Sequence, residues 1–130
     1  MSLTTYAANK LLDHLSGKTS FTMPTVYVAL YKTQPTIAGG GTECAYTGYA
    51  RDATAGADWN AAASGANSNA SELNFGAKTA GTDETAGWWA TFDAATSGNM
   101  LEFGSLAVAK LIQNGDTPKI AAGDLDRTAA

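Results

Sequence analysis

The sequence predicts a mainly β protein, an antiparallel β-sandwich of jelly-roll-like type with one N-terminal α-helix. Three observations lead to this prediction. One segment near the N terminus repeats apolar residues with a helical period, whereas the later apolar segments are short and alternate as strands do. Many of the 14 glycines fall between those segments, where turns are needed. Helices and strands do not alternate along the 130 residues, which argues against a parallel sheet and fits one domain.

The helix is predicted over residues 4–16. Apolar residues recur there every four positions and share one helical face: Leu3, Ala7, Leu11 and Leu15. Serine and threonine residues before this stripe can cap the helix, and Gly17 stands where helices commonly end in a left-handed residue. We therefore divide the chain into residues 1–20, either an anchoring arm or a helix packed on its own domain, and residues 21–130, the β-sandwich.

The first predicted strand is VYVALY at residues 26–31. Apolar side chains occupy both of its faces, so this strand should lie inside a sheet. Three consecutive glycines at residues 39–41 mark a loop before a weaker strand that carries Tyr46 and Tyr49. Residues 53–71 are rich in Ala, Ser, Gly and Asn, and they form either an exposed loop or a pair of small-residue strands.

The clearest hairpin signal lies in the second half of the chain. Residues 88–92 and 100–108 predict two strands, joined by the turn-forming stretch DAATSGN. Trp88 and Trp89 are neighbours on one strand, so their side chains should point to opposite faces. One of the two then lies away from a single-faced core, under another layer or on a partner's surface. Shorter strands are predicted at residues 72–77 and around Ile120.

Composition and motifs argue against several function classes. The formal charge is −4 and the basic residues are scattered singly, which does not suit nucleic-acid binding. Cys44 is the only cysteine, which excludes an internal disulfide and a cysteine-rich zinc site. No apolar run reaches the length of about 20 residues that a membrane span needs. His14 is the only histidine and has no nucleophile motif beside it, so we predict no catalytic, cofactor-binding or metal-binding residue.

Aromatic and helical apolar residues are the remaining candidates for a functional surface. Most aromatic side chains should be needed for the core, but Trp59 or Tyr46 on exposed loops could instead offer a platform for a sugar. The helical stripe could bind another protein. The candidate interface residues are Leu3, Tyr6, Leu11, Leu15, Trp59, Trp88 and Trp89.

Five sequence blocks follow one another in a recognisable order. They are YVALYKTQPT at 27–36, GYARDA at 48–53, FDAATSGNMLEFGSL at 92–106, NGDT at 114–117 and AAGDL at 121–125. In this order the blocks resemble a family of small bacteriophage virion proteins that are commonly labelled tail fibre proteins. Residues 54–87 are only loosely similar to that family. The resemblance implies a phage structural protein, made in the bacterial host cytoplasm and located in the virion.

Two kinds of virion protein fit these observations. The first expectation is a capsid decoration or cement protein, which binds the major capsid protein in many copies and stabilises the head shell, as a homo-oligomer such as a trimer. This reading is favoured because the chain is short and has no heptads or repeats from which a fibre shaft is built. The alternative is a tail fibre or tail-tip module that binds a host-surface glycan or other tail proteins. An enzyme is the least favoured reading.

Overall fold

The protein is mainly β in a computed structural model that describes residues 1–129. Ala130, the last residue of the predicted sandwich, lies outside the described residues. One α-helix, α1, follows the first strand, and a short 3-10 turn lies at Gly56–Asp58. The elements are β1 Ser2–Leu3, α1 Thr5–Leu15, β2 Val26–Tyr31, β3 Asp52–Thr54, β4 Ala66–Ser68, β5 Leu73–Asn74, β6 Glu84–Phe92, β7 Met100–Ile112, β8 Lys119–Ile120 and β9 Asp126–Thr128.

Five strands form one antiparallel sheet in the order β1-β7-β6-β2-β3. Two short antiparallel ladders, β4-β9 and β5-β8, lie outside it. The β6–β7 hairpin and the pairing of β2 with β6 form the centre of the sheet, where the longest strands meet. The predicted fold class, mainly β and antiparallel with one α-helix, is therefore confirmed.

Apolar residues pack on both faces of the five-stranded sheet. Trp89 belongs to a cluster in which Val28 and Leu30 of the sheet meet residues of the short ladders and long loops, such as Phe75. On the opposite face Trp88 packs against a second cluster, whose members are Ala29, Tyr31, Ala90, Phe92, Met100 and Phe103. The two adjacent tryptophans thus point to opposite faces, as their spacing predicted.

The helix and the long strands lie where the sequence predicts them, except that β6 begins four residues earlier and β7 ends four residues later than predicted. The middle of the chain differs more. Tyr46 and Tyr49 do not lie on a regular strand; this region makes only single bridges, such as Thr47 with Ala80. The prediction of a weak strand there is wrong: hydrogen bonds from the Tyr46 hydroxyl and single backbone hydrogen bonds, such as Ala50 N–H to the Phe75 carbonyl, hold this segment in place of a ladder. Within residues 53–71, Ala53 and Thr54 are the end of β3, the segment Ala66–Ser68 pairs with β9, and the remainder is largely loop.

Candidate interaction surface

The first turn of α1 is fixed to the main sheet. Thr4 caps the helix, since its Oγ1 accepts a hydrogen bond from the Ala7 N–H at 3.3 Å. The same hydroxyl donates to the Met100 carbonyl at 2.6 Å, and the Thr4 N–H donates to the Leu101 carbonyl at 3.0 Å. Ala7 is buried against the sheet. Residues at the start of the helix are therefore part of the domain's own packing.

The far end of α1 projects into solvent. Leu12 and Leu15 are 62% and 80% exposed. The helix ends at Leu15, and Gly17, two residues later, has a φ of +71°, the left-handed conformation predicted there. The chain turns back, and the Phe21 N–H donates to His14 Nδ1 at 3.0 Å. An apolar, uncovered helix end thus lies beside the returning segment.

A cavity of about 120 Å³ lies between α1, the returning segment and the sheet. Its volume is of the order of one large side chain. The walls are mostly apolar, and they are formed by Leu3, Ala7, Leu11, Phe21, Met23, Val26 and Leu101. Two of the predicted interface residues, Leu3 and Leu11, are therefore brought together here.

The cavity has polar residues in its lining. Glu102 accepts a hydrogen bond from Arg127 Nη1 at 2.5 Å, and both residues line the space. The Arg127 guanidinium also lies 4.0 Å from the centre of the Trp59 ring. Thr91 lines the cavity too, and its buried Oγ1 has no hydrogen-bond partner among residues 1–129. These residues come from three distant parts of the chain, so no sequence motif predicts that they lie together.

The remaining predicted interface residues are spread over the surface and the core. Tyr6 is half-buried on the helix, with Lys10 Nζ 5.7 Å from its ring centre. Trp88 is half-buried on the second face of the sheet. Trp89 is only 2% exposed, so its side chain lies in the core and not on the surface. The structure does not gather the seven predicted residues into one patch.

The two aromatic residues predicted to form a sugar platform do not offer one. Tyr46 is buried, and its hydroxyl donates to the carbonyls of Phe75 and Gly76 at 3.0 and 2.8 Å. Burial raises the pKa of Tyr46 to about 12. Trp59 has one ring face occupied by Arg127, and its Nε1 donates to Thr54 at 3.1 Å. The expectation of an exposed ring is therefore wrong for Tyr46. The Trp59 ring packs within the protein against Arg127 and Thr54.

Sequence reasoning missed a buried cluster around Arg51. Its guanidinium donates to both carboxylate oxygens of Glu43 at 2.9 Å and lies 3.6 Å from the centre of the Phe92 ring. It also donates to the carbonyls of Ala94 and Ser97 at 2.9 and 2.8 Å. Arg51 thus joins the GYAR block to the DAATSGN turn. One indication of this contact was present in the sequence: both segments are among the five blocks that resemble the phage virion family.

Tyr49 completes this cluster. Its hydroxyl donates to Glu43 at 2.6 Å and accepts from the Leu30 N–H at 3.1 Å. Burial, and next the hydrogen bond to the Glu43 carboxylate, raise the pKa of Tyr49 well above its ordinary value. A phenol in this state is a fixed hydrogen-bond donor at neutral pH. The DAATSGN turn therefore has a structural role, and the hydrogen bonds from Arg51 to its carbonyls hold it in position.

Residues 1–129 contain no group of three or more His, Cys, Asp or Glu side chains that could hold a metal ion. Cys44 is buried, and burial raises the pKa of its thiol to about 12. In the same residues no helix has the length and hydropathy needed to cross a membrane.

A comparison with protein families decides the class. The family model described as Podophage GP4 fiber I protein gp80 matches residues 2–128. The chain belongs to this family. The resemblance to phage fibre proteins is thus confirmed at the level of the family, and the protein is a structural component of the virion. No curated protein matches the chain.

Proposed function

We propose that the protein is a module of the podophage tail fibre and binds a neighbouring tail protein. The family match over residues 2–128 carries this proposal, because the family is described as a fibre protein. The same match supports the tail-fibre alternative more than the capsid decoration that the sequence favoured. Fold alone would not make this choice, since one fold serves many functions.

The exposed end of α1 is the proposed attachment surface. Leu12 and Leu15 are exposed on the part of α1 that follows the cavity-lining Leu11, and Met23 on the returning segment is 52% exposed. An exposed apolar patch of this kind is typical of a contact with another protein. The occupied face of Trp59 and the buried ring of Tyr46 also favour a protein partner over a sugar.

The test combines location with attachment. Phage particles are assembled with the wild-type protein or with the double variant Leu12→Lys, Leu15→Lys, and copies per virion are counted by quantitative mass spectrometry against the major capsid protein. We expect a few copies or a few dozen per wild-type particle and strong loss of the double variant, because two charges would have to be desolvated at the contact. About one copy per capsid subunit would contradict the tail location and support decoration.

A matched control separates attachment from folding. Ile37 is another strongly exposed apolar residue, at 60%. The Ile37 carbonyl accepts the Thr5 N–H. Ile37 therefore adjoins the start of α1 and not its exposed end. The variant Ile37→Lys should assemble into particles at the wild-type level or nearly so if the end of α1 is the attachment surface. Equal loss of both variants, or full retention of the helix variant, would count against attachment through that end.

A further inference from the structure

The cavity beneath α1 is lined by two kinds of residue. The helix and the returning segment contribute only apolar side chains, which are Ala7, Leu11, Phe21 and Met23. The strands β6, β7 and β9 contribute three polar residues, which are Thr91, Glu102 and Arg127. The lining therefore suits a molecule that has an apolar body and a polar group.

The three polar residues lie next to one another. Thr91 and Glu102 are opposite each other in the register of β6 with β7, so their side chains share one face of the sheet. Arg127 Nη1 donates to Glu102 at 2.5 Å. The polar group of an occupant can thus reach all three residues at one place, while its apolar body contacts the helix and the returning segment.

The hydroxyl of Thr91 lacks a partner. The residue is fully buried, and its Oγ1 makes no hydrogen bond within residues 1–129. Buried hydroxyl groups in proteins are nearly always hydrogen-bonded, because an unpaired one loses its hydration without compensation. Thr91 lines the cavity, so we expect its partner to be a group that enters this space.

The size and chemistry of the cavity favour a phenol. Its volume of about 120 Å³ is close to that of one large side chain, and apolar cavities of about 150 Å³ bind benzene. Arg127 offers a donor, Glu102 an acceptor and Thr91 both. A phenol hydroxyl can donate and accept at once, whereas an indole N–H only donates and a phenyl ring does neither.

We propose that this cavity receives one tyrosine side chain of the neighbouring tail protein. None of the five tyrosines of this chain lines the cavity, so the ring comes from another molecule. The identity of that molecule rests on the proposed function. Leu12 and Leu15 follow the cavity-lining Leu11 on the same helix, so a partner that covers them is placed to insert a side chain here.

The first experiment uses free analogues of three side chains. Purified full-length protein is titrated with p-cresol, toluene and 3-methylindole, the analogues of tyrosine, phenylalanine and tryptophan, and binding is followed by NMR. We expect p-cresol to bind about three- to tenfold more tightly than toluene, which is the effect of one net hydrogen bond. The amides whose signals shift should be those of the cavity lining.

The variant Thr91→Val tests the hydroxyl. It keeps the shape of the side chain and should remove most of the preference for p-cresol over toluene. Because the hydroxyl has no partner within residues 1–129, the variant should not lower the melting temperature of the unliganded protein. A lower melting temperature with an unchanged preference would show that Thr91 has only a structural role, and would contradict the proposal.

A second variant fills the cavity. Ala7 is buried and lines the space, so the larger side chain of Ala7→Leu extends into it and should weaken p-cresol binding by at least about tenfold. Ala8→Leu is the matched control, since Ala8 is half-buried on the same helix and does not line the cavity. The proposal fails if p-cresol does not bind, if toluene or 3-methylindole binds more tightly, or if both variants bind p-cresol equally.

Phage particles separate this inference from the attachment through the helix end. Ala7→Leu should also lower the copies per virion, because the tyrosine ring is then excluded, whereas Ala8→Leu should not. Full retention of Ala7→Leu with loss of the variant Leu12→Lys, Leu15→Lys would overturn the tyrosine insertion and leave the attachment through α1 in place. The reverse result would support the insertion and count against attachment through the exposed end.

Discussion

Arg51 shows how one side chain can hold two distant segments of this fold together. Its side chain is 6% exposed and lies between Glu43 and the DAATSGN turn. A buried guanidinium is tolerated because its donors are satisfied by the carboxylate and two carbonyls. Nothing in the sequence around Arg51 pairs it with residues more than 40 positions away. Such a contact follows from tertiary structure alone.

Replacing Arg51 should destabilise the protein more than replacing any exposed lysine. Arg51→Ala removes the cation that pairs with Glu43 and is expected to lower the free energy of unfolding by about 3–5 kcal/mol. Arg51→Lys keeps the charge but loses the fork geometry, so a loss of about 1–3 kcal/mol is expected. Denaturant unfolding followed by tryptophan fluorescence measures both.

The exposed pair of Lys119 and Glu72 provides the control for Arg51. Their charged atoms are 3.6 Å apart and their side chains are about half exposed. Lys119→Ala should change stability by less than about 1 kcal/mol, as exposed ion pairs do. Similar losses for Arg51→Ala and Lys119→Ala would contradict the structural role of the Arg51 cluster.

At the scale of elements, the sequence predicted the helix and strands that have a clear period and two of the short strands, β5 and β8, but it did not predict which short strands pair. The helix α1 and the strands β2, β6 and β7 are long enough to show helical or alternating apolar patterns. The ladders of β4 with β9 and β5 with β8 have only two or three residues in each strand. Strands of that length have no detectable period, and their partners lie 45 to 62 residues away along the chain.

Two loops approach each other closely at glycines. A Cβ on Gly48 would lie 2.0 Å from the Ala77 carbonyl oxygen, and one on Gly76 would lie 2.1 Å from the Gly48 carbonyl oxygen. Both glycines have positive φ, +102° and +87°. The region around Tyr46 and Tyr49 is therefore fixed by backbone contact with the loop after β5 rather than by a ladder.

The variant Gly48→Ala should lose at least about 3 kcal/mol of stability, because strain in the left-handed region and a backbone clash add together. Gly81 provides a matched control, since its φ is +103° and a Cβ added there would meet nothing within 4 Å. Gly81→Ala should cost about 1–2 kcal/mol from backbone strain alone. Thermal unfolding of both variants measures the difference. Equal losses would mean that the close approach does not matter.

At the scale of the molecule, the candidate surface was predicted only in part. The stripe of Leu3, Leu11 and Leu15 was visible because a helix repeats. The cavity beneath this stripe was not predicted, because Thr91 and Arg127 line the cavity from strands that are distant in sequence from the helix.

Stability of the whole molecule should depend on pH through Glu84. Its Oε1 accepts the N–H groups of Ala45 and Tyr46 at 2.9 Å, and its Oε2 lies 2.6 Å from Lys32 Nζ. Burial of Glu84 raises the pKa of the carboxyl, but the hydrogen bond and charge of Lys32 and the two N–H groups outweigh it. The pKa therefore lies below its ordinary value of 4.5.

Because the pKa of Glu84 is lower in the folded protein, the unfolded chain binds a proton there at higher pH than the folded protein does. The stabilisation that the Glu84 carboxylate contributes is full above about pH 4.5, and it is lost as the pH falls through the pKa of Glu84 in the folded protein. Glu84→Gln should be less stable than the wild type at neutral pH by about 1–3 kcal/mol. That gap should narrow towards pH 3, as measured by denaturant unfolding across pH. Parallel stability curves for the two proteins would show that Glu84 does not link folding to protonation.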